Sequence, residues 1–252
     1  MSQLSPFSIK LILMNLDFVK VPFTNNPSMT RLEGGAYNKN PNQEYLLTKK
    51  KELDLKKEHL CGESELSTKL DLRKKITDYL EIEGNKSLLD LTMSVEEDFA
   101  LMYEGNMEIV SVCFPSGWIP VNKLGENLLG IHKPVADNSQ LLKSSEKLTE
   151  YMCKQSIKRW VWTLTTYSEL SNFPGYKKPK VDKFENLFFR LETQTSVPLD
   201  GKTSLFFIKV EVLPLTEIWT IKILESINSM SENILNYKDL QQIKKLLNTI
   251  KL

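Results

Sequence analysis

The sequence predicts an α+β fold built on an antiparallel sheet, and three observations carry that prediction. The grammar of the chain runs helices, then strands, then helices, whereas a doubly wound parallel sheet alternates the two. Two β-like runs, 186–197 and 204–213, are separated by Pro198-Leu199-Asp200-Gly201-Lys202, and Asp-Gly is a favoured pair for a tight hairpin. After residue 215 the apolar spacing becomes helical, with Ile221, Leu224, Ile227, Leu240, Ile243 and Leu247.

The elements follow in order. Residues 1–42 are rich in Pro, Asn and Gly and read as an irregular arm ahead of a single domain over 43–252. The apolar run 9–13, interrupted by Lys10, is too short to span a membrane. Leu46, Leu47, Leu53, Leu55 and Leu60 among charges predict a helix over 44–60. Leu66, Leu70, Leu72, Ile76 and Leu80 predict a second over 64–82, ended by Gly84-Asn85. Ser94-Val95-Glu96-Glu97 has capping-box spacing and predicts a third helix from Ser94, with Phe99, Leu101 and Met102 on its apolar face. A strand is expected over 107–114, stopped by Pro115-Ser116-Gly117, then a short helix over 124–129 and an amphipathic helix over 140–155. A further strand is expected over 159–167.

The bulk numbers narrow the function classes. The chain has 252 residues, 41% hydrophobic and 26% charged, as in ordinary globular proteins. A net charge of +1 argues against nucleic acid as a partner. The runs Lys49-Lys50-Lys51 and Arg73-Lys74-Lys75 have acidic neighbours and read as solvated helix faces. The cysteines, Cys61, Cys113 and Cys153, form no CxxC, which suits a reducing, cytoplasmic setting. No ligand cluster for zinc is visible, and no membrane span.

The candidate chemistry centres on 114–135. Phe114-Pro115-Ser116-Gly117-Trp118 is followed by Lys123-Leu124-Gly125 and Ile131-His132-Lys133-Pro134-Val135, and His132 is one of only two histidines. A neutral imidazole can ligate iron, and Pro134 stiffens the loop that would hold it. A hydrogen-bonded loop histidine is the plainer alternative. His59, beside Glu58, reads as a surface residue. Period-2 alternation puts Arg190, Glu192 and Gln194 on one strand face and Phe189, Leu191 and Thr193 on the other. The polar face looks either at water or into a polar cavity, and if buried, Arg190 and Glu192 have to pair. Lys123 and Arg159 are the candidates to meet an anion. Trp118 either anchors the core or stacks on a ligand. Trp160 and Trp162 share a strand face and read as core. Cys113 reads as a buried inert thiol.

This block resembles the family that includes the heme-binding alpha subunit of heme-dependent oxidative N-demethylases. Three further segments are similar in order: 95–102, Arg159-Trp160-Val161-Trp162, and Arg190-Leu191-Glu192-Thr193-Gln194-Thr195. The resemblance covers roughly residues 40–225. It implies a PAS-like antiparallel sheet wrapped by helices, heme b held through His132, and a cofactor site including Lys123, Arg159, Trp118, Arg190, Glu192 and Gln194. It implies a small secondary amine as substrate and reductase subunits as electron donors, since nothing here resembles a flavin or nicotinamide site. Three positions depart from the family pattern: Ala136 stands for a proline, Val161 for an asparagine, and Ser196-Val197-Pro198 follows Gln194-Thr195. These departures keep two alternatives open, a non-catalytic PAS-like ligand-binding module and a scaffold that has lost the cofactor.

Overall fold

A computed structural model of the chain describes residues 15–25 and 29–250. Among them are seven strands and ten α-helices. The strands form one sheet, all neighbours antiparallel: β1 (Thr30–Arg31), β5 (Ile157–Thr165), β6 (Phe188–Asp200), β7 (Thr203–Pro214), β3 (Asp98–Tyr103), β4 (Asn106–Ser111) and β2 (Cys61–Glu63), in that spatial order. The α+β expectation holds. The β6–β7 hairpin closes at Asp200↔Thr203, with a register shift between Pro198 and Asp200. The β3–β4 hairpin turns on Glu104-Gly105, both at positive φ (46° and 88°), the two-residue geometry that suits a right-twisted pair.

The helices form two layers on the sheet. On one face the alternating residues Trp162, Leu164, Phe189 and Leu191 pack against the C-terminal helices α7 (Leu215–Ile218), α8 (Ile221–Asn228), α9 (Glu232–Tyr237) and α10 (Gln241–Leu247). Trp160 lies on the same face and stacks with Phe18 at 5.6 Å. Further along that face, Phe99, Leu101, Leu205 and Phe207 pack with Leu72 and Ile76 of α3 (Leu72–Tyr79) and Leu91 of α4 (Leu88–Ser94). The opposite face is crossed by residues 112–156, which include a 3-10 turn (Pro120–Lys123), α5 (Leu128–His132) and α6 (Ser139–Met152).

Several expectations need correction. The helix foreseen over 64–82 is two, α2 (Glu65–Leu70) and α3, because Asp71 adopts φ 48°, ψ 47° between them. The helix foreseen from Ser94 does not exist. Residue 94 ends α4, and Phe99, Leu101 and Met102 lie in β3. The real capping box is Ser87 with Asp90, which bond reciprocally. The helix placed at 124–129 is displaced to α5. Lys49, expected on a solvated face of α1 (Gln43–Leu60), is fully buried: its Nζ donates to the carbonyls of Thr92, Val95 and Glu97 and lies 3.6 Å from Asp98. The described part of the arm is irregular apart from β1, yet it is packed, with Val19 fully buried against the C-terminal helices. The 9–13 run lies outside the described residues. Among the described residues no helix is long and apolar enough to cross a membrane.

Candidate functional site

The face crossed by residues 112–156 carries the polar strand residues. Register places Arg159 beside Gln194, Val161 beside Glu192 and Thr163 beside Arg190, all on the face opposite the Trp162–Phe189 core. Glu192, Phe206 and Ile208 sit in strands flanked on both sides, yet each keeps part of its surface open. A side chain in mid-sheet reaches solvent only through a gap in the layer above it, so the crossing segment leaves a cleft over β5, β6 and β7. Two other hollows, about 470 Å³ beside the β6–β7 turn and about 300 Å³ beside the β3–β4 turn, share none of these side chains.

His132 ends α5, whose N-terminus is capped by the Asn127 side chain accepting from Gly130 N–H at 3.0 Å. Its Nδ1 lies 2.9 Å from the Leu128 carbonyl. A carbonyl can only accept, so Nδ1 carries the ring proton and Nε2 presents a lone pair. Desolvation lowers the imidazole pKa from its usual value; the Leu128 carbonyl opposes this, and the charges of Arg159 and Lys123 add to it. The ring is therefore neutral at pH 7, half-buried, and electrostatically within reach of both cations. Among the described residues no hydrogen bond engages Nε2. The segment beyond the histidine is tied down: Asn138 donates to the His132 carbonyl at 2.6 Å, and Asn25 donates to the Ala136 carbonyl at 2.7 Å.

The cations around the cleft are placed differently from one another. Arg190 is buried and fully engaged: Nε donates to Ser116 Oγ at 3.0 Å, and its two terminal nitrogens donate to the Phe114 and Leu170 carbonyls. It clamps the Pro-Ser-Gly turn onto β6. Gly117, at φ 81°, makes that turn possible, and its N–H donates to the Asn172 carbonyl at 2.9 Å. Glu192 accepts from Ser116 Oγ and from Gln194 Nε2 (2.9 Å), with Arg190 at 3.9 Å. The pairing required of a buried Arg190 and Glu192 is thus present, extended by Ser116. Arg159 is half-open along its length, but its Nε is sealed from solvent with no hydrogen-bond partner. Lys123 Nζ donates to the Gly130 carbonyl at 3.2 Å and braces α5. Trp118 is half-buried and packs with the core under α5 and α6.

One cation at the β5 edge escaped the sequence reading. Lys238 closes α9, and its Nζ donates to the Trp162 carbonyl at 2.9 Å. Among the described residues β1 pairs only with residues 157 and 158, and no other strand continues along that edge of β5. Burial lowers the Lys238 pKa to about 8; Glu192 opposes the shift and Arg159 adds to it. Nothing in local spacing marks this residue, because the contact joins positions 76 apart. The remaining candidates lie elsewhere. His59 is exposed beside Glu58, 3.6 Å away. Cys113 is fully buried, and burial pushes its thiol pKa well up. Among the described residues no three His, Cys, Asp or Glu side chains converge as a metal site.

A family model described as "Haem-dependent oxidative N-demethylase, alpha subunit-like" matches residues 49–248. A search of curated proteins finds no match.

Proposed function

Because the chain belongs to the haem-dependent oxidative N-demethylase, alpha subunit-like family, we propose that it is a heme-binding, oxygenase-type subunit acting on a small secondary amine. The observation that carries this reading is the state of His132. Its Nδ1–H is committed to the Leu128 carbonyl, its ring is held neutral, and Nε2 is left as a lone pair with no hydrogen-bond partner among the described residues. An imidazole that ligates iron characteristically donates its other N–H to such an acceptor, which fixes both tautomer and ring orientation. The sealed, partnerless Nε of Arg159 fits an acidic ligand group.

In this reading, heme b supplies the oxygen and electron-transfer chemistry. The chain's own residues do the rest. His132 would hold the iron through its free ring nitrogen. Arg159 meets a carboxylate. Lys123 braces α5 through the Gly130 carbonyl and so positions the histidine. Arg190, Ser116 and Gln194 hold Glu192, the carboxylate that would meet an ammonium group. Trp118 fills the apolar floor beneath α5. Electrons would come from reductase subunits, and the free thiols fit a cytoplasmic setting. The PAS-like reading of a single domain over 43–252 is supported by the strand order. The five longer strands run β4-β3-β7-β6-β5, which in chain order is second, first, fifth, fourth, third, and helices cover the crossing between the second and third.

The apolar Val161, half-open beside Glu192 where the family pattern has an asparagine, favours a second reading, a heme-binding module without demethylase activity. Absorption spectra test the first claim. The wild type is expected to show a Soret band that His132→Ala loses or broadens; an unchanged spectrum moves the ligand elsewhere. Reductase-driven formaldehyde release from dimethylamine then separates the enzyme from the module.

A further inference from the structure

Two of the cysteines meet where α1, β2 and β4 join. Cys61 follows the last residue of α1 and pairs with Ser111 across the β2–β4 ladder. Val112 N–H donates to the Leu60 carbonyl at 3.0 Å, which carries the pairing past the end of β4. Side chains alternate along an extended chain, so Cys113 returns to the side of Ser111. There Cys61 packs against one small core made by Cys113 with Leu53, Phe114 and Val210. The two thiols are hydrogen-bonded to one another. The Cys61 sulfur also lies 3.5 Å from Ser111 Oγ and 4.0 Å from Thr92 Oγ1, and those two hydroxyls are 2.7 Å apart.

The two sulfurs are not equivalent. Cys61 keeps part of its surface open. The hydrogen bond with Cys113 is the main cause of a lowered Cys61 pKa; burial opposes it, and Ser111 and Thr92 add to it. Cys113 is sealed from solvent, and burial pushes its thiol well up. Cys153, at the end of α6, is buried and raised by burial too. An open thiol with thiolate character beside a sealed one is the arrangement of an attacking and a resolving cysteine. We infer that Cys61 and Cys113 form a reversible oxidation site, in which a hydroperoxide oxidises Cys61 and Cys113 resolves it as an intramolecular disulfide. The Cys61 thiolate breaks the O–O bond and becomes a sulfenic acid, while the departing oxygen leaves as water. The Cys113 sulfur then displaces the sulfenic hydroxyl, which takes up the Cys113 proton and leaves as a second water. The electron pair given up by the sulfurs reduces the peroxide. The new bond ties the end of α1 to the residue that leads into the Phe114–Trp118 turn, where Phe114 N–H is held by Asp98 at 2.8 Å. The inference draws on neither heme nor His132.

The test treats the full, reduced chain with hydrogen peroxide at pH 7, blocks the remaining thiols by alkylation and maps the digest by mass spectrometry. The Cys61 and Cys113 peptides are expected to appear joined within one chain, separable by dithiothreitol, with Cys153 still free. Cys113→Ser is expected to stop at the sulfenic acid, captured on Cys61 by dimedone. Cys61→Ser is expected to slow peroxide consumption by the thiols at least about tenfold, because the remaining two are buried and protonated. Thermal melts show whether each variant is folded, and the wild-type map decides the matter where one is not. Free Cys61 and Cys113 in the peroxide-treated wild type overturn the inference, as does oxidation of Cys153 ahead of them or a link formed only between copies of the chain.

Discussion

At the scale of single residues, burial sorts the cations of this protein into two kinds. Arg190 is buried and saturated, with Ser116 and two carbonyls around it, so it acts as a clamp. Lys238 is half-buried, with a backbone carbonyl and the Phe23 ring as its neighbours and no ion-pair partner, and desolvation lowers its pKa from 10.5 to about 8. The sign follows from proton counting. Between about pH 8 and 10.5 the unfolded chain holds a proton on this lysine that the folded chain does not, so its contribution to stability rises with pH across that window. Lys238→Gln is expected to remove that rise: the stability difference between wild type and variant, from urea melts, should shift in favour of the wild type from pH 7.5 to pH 10. A pH-independent difference would place the ammonium in ordinary solvent. The strand alternation of Arg190, Glu192 and Gln194 was readable in advance because period 2 is a property of extended backbone. The role of Lys238 was not, because its partner is a backbone carbonyl on a distant strand.

At the scale of elements, the β6–β7 hairpin was legible, whereas β3 was hidden behind an apparent helix start. Ser94-Val95-Glu96-Glu97 carries the letters of a capping box, but β3 needs residues 98–103 to pair with both β4 and β7, and tertiary pairing overrides a local signal of that size. The functioning cap is Ser87. Its hydroxyl accepts from Asp90 N–H at 3.2 Å, while the Asp90 carboxylate accepts from Ser87 N–H at 2.9 Å. Ser87→Ala is expected to cost about 1 kcal/mol of stability. Ser94→Ala, which removes a hydroxyl bonded to the Leu91 carbonyl at 2.7 Å, is expected to stay within about 0.5 kcal/mol. Denaturant melts of the two variants decide which serine caps a helix.

At the scale of the whole molecule, a buried ion pair joins the N-terminal helix to the sheet. Lys49 of α1 lies 3.6 Å from Asp98 of β3, both with no side-chain exposure, and Asp98 also accepts from Phe114 N–H at 2.8 Å. Burial raises the Asp98 pKa, with Lys49 opposing. One pair thus ties α1, β3 and the start of the Pro-Ser-Gly turn into a single unit. Lys49→Met leaves a buried carboxylate uncompensated and is expected to destabilise the fold by roughly 3–5 kcal/mol. Lys49→Met combined with Asp98→Asn is expected to cost less than the sum of the two single changes, as a double-mutant cycle would show.

Apolar periodicity and turn chemistry, both local in the chain, were enough to specify an α+β order, the Asp200-Gly201 hairpin and the alternating strand faces, but not the short helix that carries His132. What only the folded chain decided is which charges lose their water. Lys49 sits in an exposed-looking run of lysines and is sealed; Lys238 closes a short helix and meets β5; Arg159 keeps a partnerless Nε. Desolvation depends on what packs over a group from distant parts of the chain, and no spacing along the sequence encodes it.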